Sequence, residues 1–153
     1  MKRYLSLICV AILALTAFTC IGEEKRLTAN DERSEEKMQM FINDTPVEVI
    51  WEDNDSVSAL RELAVNGLTV SMSMYGGFEQ VGAIGRRLPR HDVQTTTAWG
   101  DIVLYSGDQL VVFYGSNSWA YTRLGKITDK TKEELRTLLG SRNVTITLTV
   151  EQN

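Results

Sequence analysis

Few residues of this chain could take part in chemistry, and the most informative of them is an acid within an apolar stretch. Glu79 stands between Phe78 and Val81. It lies either on the outer face of a strand or in a pocket, where burial would shift the pKa of its carboxyl group. We therefore include Glu79 among the predicted binding residues.

Aromatic residues between positions 99 and 121 could line a groove beside this acid, with Ser116 and Asn117 as polar anchors. The aromatic candidates are Trp99, Tyr105, Tyr114, Trp119 and Tyr121. In a domain of this size most aromatic side chains form the core, so we expect only one or two of them to contact a ligand. The predicted binding residues are Glu79, Tyr105, Tyr114, Asn117 and Trp119.

A basic loop, predicted at residues 85–97, supplies the candidates for catalysis. It carries Arg86, Arg87 and His91, the single histidine of the chain. Arg86 and Arg87 are candidates for a catalytic cation, a solvated basic loop is the alternative, and we assign no catalytic residue. His91 stands in a polar stretch, which is typical of a surface residue rather than of a catalytic base.

The composition argues against several classes of function. With one histidine and two cysteines, Cys9 and Cys20, only scattered carboxylates remain as metal ligands, so we predict no metal site and no cofactor. No nucleophile has a credible general base, and no glycine-rich phosphate loop opens a helix. The formal net charge is -4 and basic residues do not gather on one face, so nucleic acid is not an expected partner.

The amino terminus has the pattern of a bacterial secretory signal, which we predict over residues 1–20. Lys2 and Arg3 precede an apolar run that ends at Phe18. Cys20 stands where a lipoprotein signal places the cysteine that carries lipid, in a loose lipobox with the bulky Phe18. An uncleaved membrane anchor and ordinary secretion are the alternatives.

Two further segments follow the predicted signal. Residues 21–37 are charged and nearly free of large apolar side chains, so we predict a flexible tether that holds the domain off a membrane. A solvated helix with opposite charges is the alternative. Residues 38–153 are enough for one small domain with a single core.

The periodicity of this domain predicts mainly β structure with two helices. Two runs of strand-forming residues, 102–105 and 110–114, predict a β-hairpin. Neither run alternates between apolar and polar, which indicates that the core covers one face and helices the other. Asp55 or Ser56 can cap a first helix, and a capping box at Thr131 opens a second. Further strands are predicted at residues 38–43, 47–51, 68–75, 78–84, 120–127 and 144–150.

Three segments carry a more specific pattern: Val81-Gly82-x-x-Gly85-x-x-Leu88-Pro89, Thr95-Thr96-Thr97-x-x-Gly100-Asp101-Ile102-Val103-Leu104-Tyr105, and residues 110–119 with Tyr121-Thr122-x-Leu124-Gly125. They resemble a bacterial cyclophilin-like family of unknown function, and the resemblance covers about residues 38–148. It implies a closed eight-stranded barrel with two capping helices, the topology of the true cyclophilin prolyl isomerases. It does not imply their activity.

Signal and resemblance together predict a lipid-anchored, extracytoplasmic domain of the bacterial cell envelope, attached to the membrane through Cys20. We expect it to bind a small molecule or a peptide without catalysis. The alternative is a divergent peptidyl-prolyl cis-trans isomerase, which would require the guanidinium group of Arg86 or Arg87 to point into an aromatic groove. The third possibility is a structural envelope protein, with no cleft beside Glu79 or Trp119.

Overall fold

The computed structural model describes residues 37–151 of the chain. The predicted signal, Cys20 and the predicted tether apart from Lys37 lie outside the described residues. Within the described range the chain forms eleven strands and two helices. In chain order they are β1 (Met38–Ile42), β2 (Thr45–Val47), β3 (Val49–Trp51), α1 (Asp55–Ala64), β4 (Leu68–Ser71), β5 (Ser73–Tyr75), β6 (Glu79–Ala83), β7 (Val93–Thr96), β8 (Asp101–Tyr105), β9 (Gln109–Phe113), β10 (Ser118–Ile127), α2 (Lys132–Leu139) and β11 (Thr145–Val150).

The strands form two antiparallel sheets. The smaller sheet has the order β2-β1-β11-β4, and the larger one has the order β3-β10-β8-β9-β6-β5, with β7 paired to one end of β10. The predicted mainly β fold with two helices is therefore confirmed. The closed eight-stranded barrel is not confirmed, because neither sheet closes on itself within residues 37–151.

Two pairs of strands run almost without interruption from one sheet into the other. Only Glu48 separates β2, at an edge of the smaller sheet, from β3, at an edge of the larger one. Only Met72 separates β4 from β5 at the opposite edges. In both places the sequence predicts a single strand, because a period of two continues unchanged when a strand leaves one sheet and joins another.

The predicted central hairpin is confirmed. Strands β8 and β9 pair antiparallel, with Ile102 opposite Val112. Ser106 and Gly107 in the connecting turn have φ angles of 54° and 82°. Glycine readily adopts such a left-handed conformation, which explains why Gly107 stands in this turn.

The two faces of the hairpin belong to different apolar clusters, because alternate side chains of a strand point to opposite faces. On one face, Ile102 and Leu104 join the main core, to which both sheets and both helices contribute. On the other face, Val103, Val111, Phe113 and Tyr121 form a second cluster, which we call the outer cluster. The prediction that helices cover this second face is wrong, since Phe78 and Val81 pack there.

Both predicted helices are present, with one difference at the first cap. Asn54 caps α1, and neither Asp55 nor Ser56 does: the side-chain oxygen of Asn54 accepts a hydrogen bond from Val57 N–H at 3.0 Å. Asn, Asp and Ser are all favoured at an N-cap, so the residue type does not choose among them. Asn54 is the one with the extended backbone of an N-cap residue. The second helix begins with the predicted capping box at Thr131.

The predicted loop at residues 85–97 contains a short strand, so the prediction of a continuous loop is wrong. Strand β7 pairs with the first half of β10, and Thr96 lies opposite Ser118. The side chains of β7 are mostly exposed. A short, exposed strand has no apolar pattern in the sequence, and this one forms only because β10 extends beyond β8.

Candidate functional site

A cavity of about 410 Å³ lies on the outer face of the larger sheet, opposite the main core. Its position follows from the strand register. Tyr75 lies opposite Glu79 across β5 and β6, and Val81 lies opposite Val111 across β6 and β9, so all four side chains share this face. The remaining lining residues come from β8, from β10 and from the segment just before β10: Tyr105, Asn117, Trp119 and Tyr121.

Close backbone contact holds the acid of this cavity in place. The chain turns from β5 into β6 through Gly76 and Gly77, which both have positive φ angles. Directly before β6, the carbonyl oxygen of Phe78 accepts hydrogen bonds from the N–H groups of Tyr114 and Gly115, both at 2.9 Å. A Cβ atom on Gly115 would lie 2.6 Å from Phe78 Cβ, so this approach requires glycine.

Glu79 is the buried acid of the cavity, with 6% of its surface exposed. Its Oε2 atom is shielded from solvent and has no hydrogen-bond partner. No lysine, arginine or histidine among residues 37–151 forms an ion pair with it. Burial without a partner disfavours the charged form of a carboxyl group, and it raises the pKa of Glu79 from 4.5 to about 7.

A second buried acid shows what Glu79 lacks. Asp101 is 3% exposed, and its carboxylate lies 3.2 Å from Lys126 Nζ and 3.4 Å from Arg123 Nη2. The backbone N–H of Ala98 also donates to this carboxylate at 2.8 Å. Asp101 is thus a paired structural charge of the kind that buried acids normally form. Glu79 lines a cavity and has no such partners.

Tyr121 lines the cavity and packs against two other aromatic rings. Its ring meets the rings of Tyr105 and Phe113 edge to face, with centroid distances of 6.1 Å and 5.7 Å. Asn117 Nδ2 donates a hydrogen bond to the hydroxyl oxygen of Tyr121 at 3.0 Å. Burial, and then the charge of Glu79, raise the pKa of Tyr121, so its hydroxyl group stays protonated at neutral pH.

Four of the five predicted binding residues line this cavity, and the fifth does not. Tyr114 lies in the main core, where its ring packs near Gly140 at the end of α2. Its neighbour Phe113 belongs to the outer cluster, and consecutive residues of an extended chain point to opposite faces. Ligand binding stays a prediction for the four that line the cavity, which are Glu79, Tyr105, Asn117 and Trp119.

The basic candidates lie elsewhere. Arg86 and Arg87 are exposed, and neither lines the cavity. Arg87 donates a hydrogen bond to the carbonyl oxygen of Ser106 at 3.3 Å and lies 3.9 Å from the carboxylate of Asp108. The Arg87 side chain therefore lies over the turn between β8 and β9. His91 is also exposed.

Four lining residues were not among the predicted binding residues: Tyr75, Val81, Val111 and Tyr121. Tyr121 stood only among the aromatic candidates. The glycine pair after Tyr75 indicates a hairpin, and a hairpin would bring Tyr75 close to Glu79. The position of Tyr75 beside the acid could therefore have been predicted from the sequence. The two valines have the pattern of ordinary strand residues, and only the register of β6 on β9 brings them together.

Several other features bear on the choice of site. A smaller cavity of about 160 Å³ is lined by residues of β1, β2 and β3, such as Met38 and Trp51, and contains no buried acid. In the described part of the chain, no three His, Cys, Asp or Glu side chains group as metal ligands. No helix within residues 37–151 is both long and apolar enough to cross a membrane.

These observations define a mainly β domain whose larger sheet carries an aromatic cavity with one unpaired, buried acid on its outer face. The chain belongs to the cyclophilin-like family, because the model of that family matches residues 40–151. Comparison with curated proteins and with solved structures found no match. The resemblance to a cyclophilin-like family is thereby confirmed, whereas a bacterial origin and a lipoprotein signal stay predictions.

Proposed function

We propose that this domain binds a small molecule or a segment of a peptide in the aromatic cavity and does not catalyse a reaction on it. The observation that carries this proposal is the cavity itself. Its volume of about 410 Å³ falls in the lower part of the range typical of ligand pockets. Its lining combines four aromatic residues and two valines with two polar groups, the carboxyl of Glu79 and the amide of Asn117.

The lining favours binding over prolyl isomerisation. An isomerase of the cyclophilin type needs a cation beside the twisting amide, to stabilise the changed charge on its nitrogen and carbonyl groups. The side chains that line the cavity are one acid, one amide, two valines and four aromatic residues. Arg87 instead contacts the turn between β8 and β9. No observation favours the isomerase as a second function.

The cellular setting belongs to the same proposal. The charged and then apolar start of the chain supports export from a bacterial cytoplasm, and Cys20 at the end of the apolar run supports a lipid anchor. The charged residues 21–37 would then separate the domain from the membrane. In this arrangement the cavity faces the extracytoplasmic space of the cell envelope, where the ligand would be found.

We also propose that the two sheets form the wall of one barrel. The support is the passage of the chain from β2 into β3 and from β4 into β5, one at each pair of sheet edges. If each pair counts as one bent strand, the wall has eight strands in the order β2/β3, β1, β11, β4/β5, β6, β9, β8 and β10. The outer cavity then lies on the outside of the barrel.

A ligand screen by NMR tests the binding proposal. A library of small metabolites and short peptides is added to the full-length protein, and saturation transfer to each ligand is measured. We expect at least one ligand whose signal disappears in Trp119→Ala, because Trp119 lines the cavity, and persists in Trp99→Ala. Trp99 is also partly exposed but does not line the cavity. Signals that are equal in the two variants would overturn the proposal.

A further inference from the structure

The cavity contains an acid whose positive partner is missing. Glu79 is buried, its Oε2 atom has no hydrogen-bond partner, and no cationic side chain of residues 37–151 pairs with it. Buried carboxylates are normally compensated by cations or by donated hydrogen bonds, as Asp101 is by Arg123 and Lys126. A carboxyl group with a solvent-connected cavity beside it can receive that compensation from a ligand.

The walls of the cavity suit a cation as well. Tyr75, Tyr105, Trp119 and Tyr121 surround the space beside Glu79. The faces of tyrosine and tryptophan rings carry negative partial charge, and they attract ammonium groups, most strongly where water is partly excluded. The same attraction occurs elsewhere in this domain, where Lys126 Nζ lies 5.2 Å from the centre of the Trp99 ring.

From these two observations we infer that the cavity takes an alkylammonium group, seated against the aromatic rings and paired with the Glu79 carboxylate. The inference rests on the proposed binding function and specifies the chemical class of the ligand. The shared chemistry is a positively charged nitrogen that carries aliphatic carbons. It could come from a small amine or quaternary ammonium compound, or from a lysine side chain of a peptide.

Proton exchange should accompany this binding. The titratable groups that share the cavity with Glu79 are Tyr75 on β5, Tyr105 on β8 and Tyr121 on β10. Tyr114 lies on the opposite face, in the main core, and is still affected by the charge of Glu79. Burial, and then the charge of Glu79, raise the pKa of Tyr114, and the charge of Arg136 on α2 opposes this rise. None of these tyrosines is a cation, and the pKa of Glu79 is about 7. Binding of a permanent cation must therefore displace a proton at acidic pH, and its affinity should fall about tenfold from pH 8 to pH 6.

Matched pairs of probes test the inference directly. The first pair is choline and its uncharged carbon analogue 3,3-dimethylbutan-1-ol, and the second is a capped Gly-Lys-Gly peptide and its norleucine counterpart. Each probe is titrated into the full-length protein at pH 8, and the shift of the Trp119 indole N–H signal is followed by two-dimensional NMR. We expect the cation of at least one pair to bind about tenfold or more tightly than its neutral analogue. The pair that shows the preference identifies the source of the ammonium group.

Three variants complete the test. Glu79→Gln keeps the size of the side chain and should reduce the preference for the cation to what the aromatic rings alone provide, whereas Glu62→Gln removes the same charge from an exposed position of α1 and should keep the full preference. Tyr105→Leu should weaken binding of the cation without weakening binding of the neutral analogue. Because Tyr105 is partly exposed, this substitution should leave the fold intact, and the loss of cation binding can be attributed to the missing ring. Folding of each variant is checked by thermal denaturation.

The negative results of this experiment bear separately on the alkylammonium inference and on the broader binding function. Equal affinities for cation and neutral analogue, or a cation preference that is undiminished in Glu79→Gln, would overturn the inference while leaving a binding cavity. Absence of any shift with all four probes would also overturn it. The broader binding function would then be decided by the ligand screen described above, which does not depend on charge.

Discussion

Replacing Glu79 by glutamine should stabilise the domain at alkaline pH far more than at acidic pH. The buried carboxyl has a pKa of about 7, raised from 4.5 by burial. Between these two values the folded protein keeps a proton that the unfolded chain has released. Rising pH therefore favours unfolding over this interval, and the stabilising contribution of the protonated group is present below about pH 4.5 and lost as the pH rises through 7.

The size of the effect follows from the shift. A change from 4.5 to about 7, at about 1.4 kcal/mol for each pKa unit, costs the folded wild-type protein about 3 kcal/mol when Glu79 is fully ionised. Glu79 is only 6% exposed but borders an open cavity, so screening by solvent makes about 3 kcal/mol an upper value. Between pH 5 and pH 8 the expected difference is about 2–3 kcal/mol, because a small part is already present at pH 5.

Urea denaturation of three proteins at pH 5 and pH 8 measures this difference. Wild type, Glu79→Gln and the exposed control Glu62→Gln are followed by circular dichroism, and their free energies of unfolding are compared at each pH. Other titrating groups cancel in the comparison. Relative to wild type, the free energy of unfolding of Glu79→Gln should rise by about 2–3 kcal/mol from pH 5 to pH 8, and that of the control by less than about 0.5 kcal/mol. A gain for Glu79→Gln as small as that of the control would refute the assignment of an unpaired, buried carboxyl.

Three further predictions concern other parts of the chain. Cys20→Ser should move the protein from the membrane fraction to the soluble fraction on cell fractionation, and unchanged, detergent-dependent membrane association would contradict the lipid anchor. Gly82→Ala should lower the free energy of unfolding by about 1–3 kcal/mol, because the added Cβ would lie 2.5 Å from Met72 Sδ and 2.6 Å from the Ser71 carbonyl oxygen. A free energy of unfolding in urea equal to that of wild type would show that β6 can move away from the end of β4 at no cost. Thr131→Ala should cost about 1 kcal/mol through loss of the capping box, and an unchanged melting temperature would mean that α2 does not depend on its cap.

Local features of the fold were predictable because neighbouring residues determine them. The hairpin at residues 102–113 is visible as two runs of strand formers around a turn, and the second helix is visible from Thr131 and Glu134. The unusual position of Glu79 in an apolar stretch was also visible. The sequence left two alternatives for it, an outer strand face or a buried pocket, and the structure combines them, because the outer face at this point is itself covered by aromatic side chains.

Features that depend on pairing between distant residues were not predictable. Tyr105 and Tyr114 are both aromatic residues at the ends of strand-forming runs, yet one lines the cavity and the other packs in the main core. The face that each takes depends on register, which a single sequence does not reveal. The short strand β7 has the same origin, because its partner β10 is more than twenty residues away and its own residues are mostly exposed.

The links at Glu48 and Met72 also determine how the domain should come apart. A sheet whose edges end in loops can open as an independent unit, whereas here a single residue, Glu48 or Met72, separates an edge strand of one sheet from an edge strand of the other. Loss of the smaller sheet would pull β3 and β5 from the edges of the larger one. We therefore expect hydrogen exchange to reveal one cooperative unit, in which the slowest amides of β11 and those of β9 open together with the same free energy.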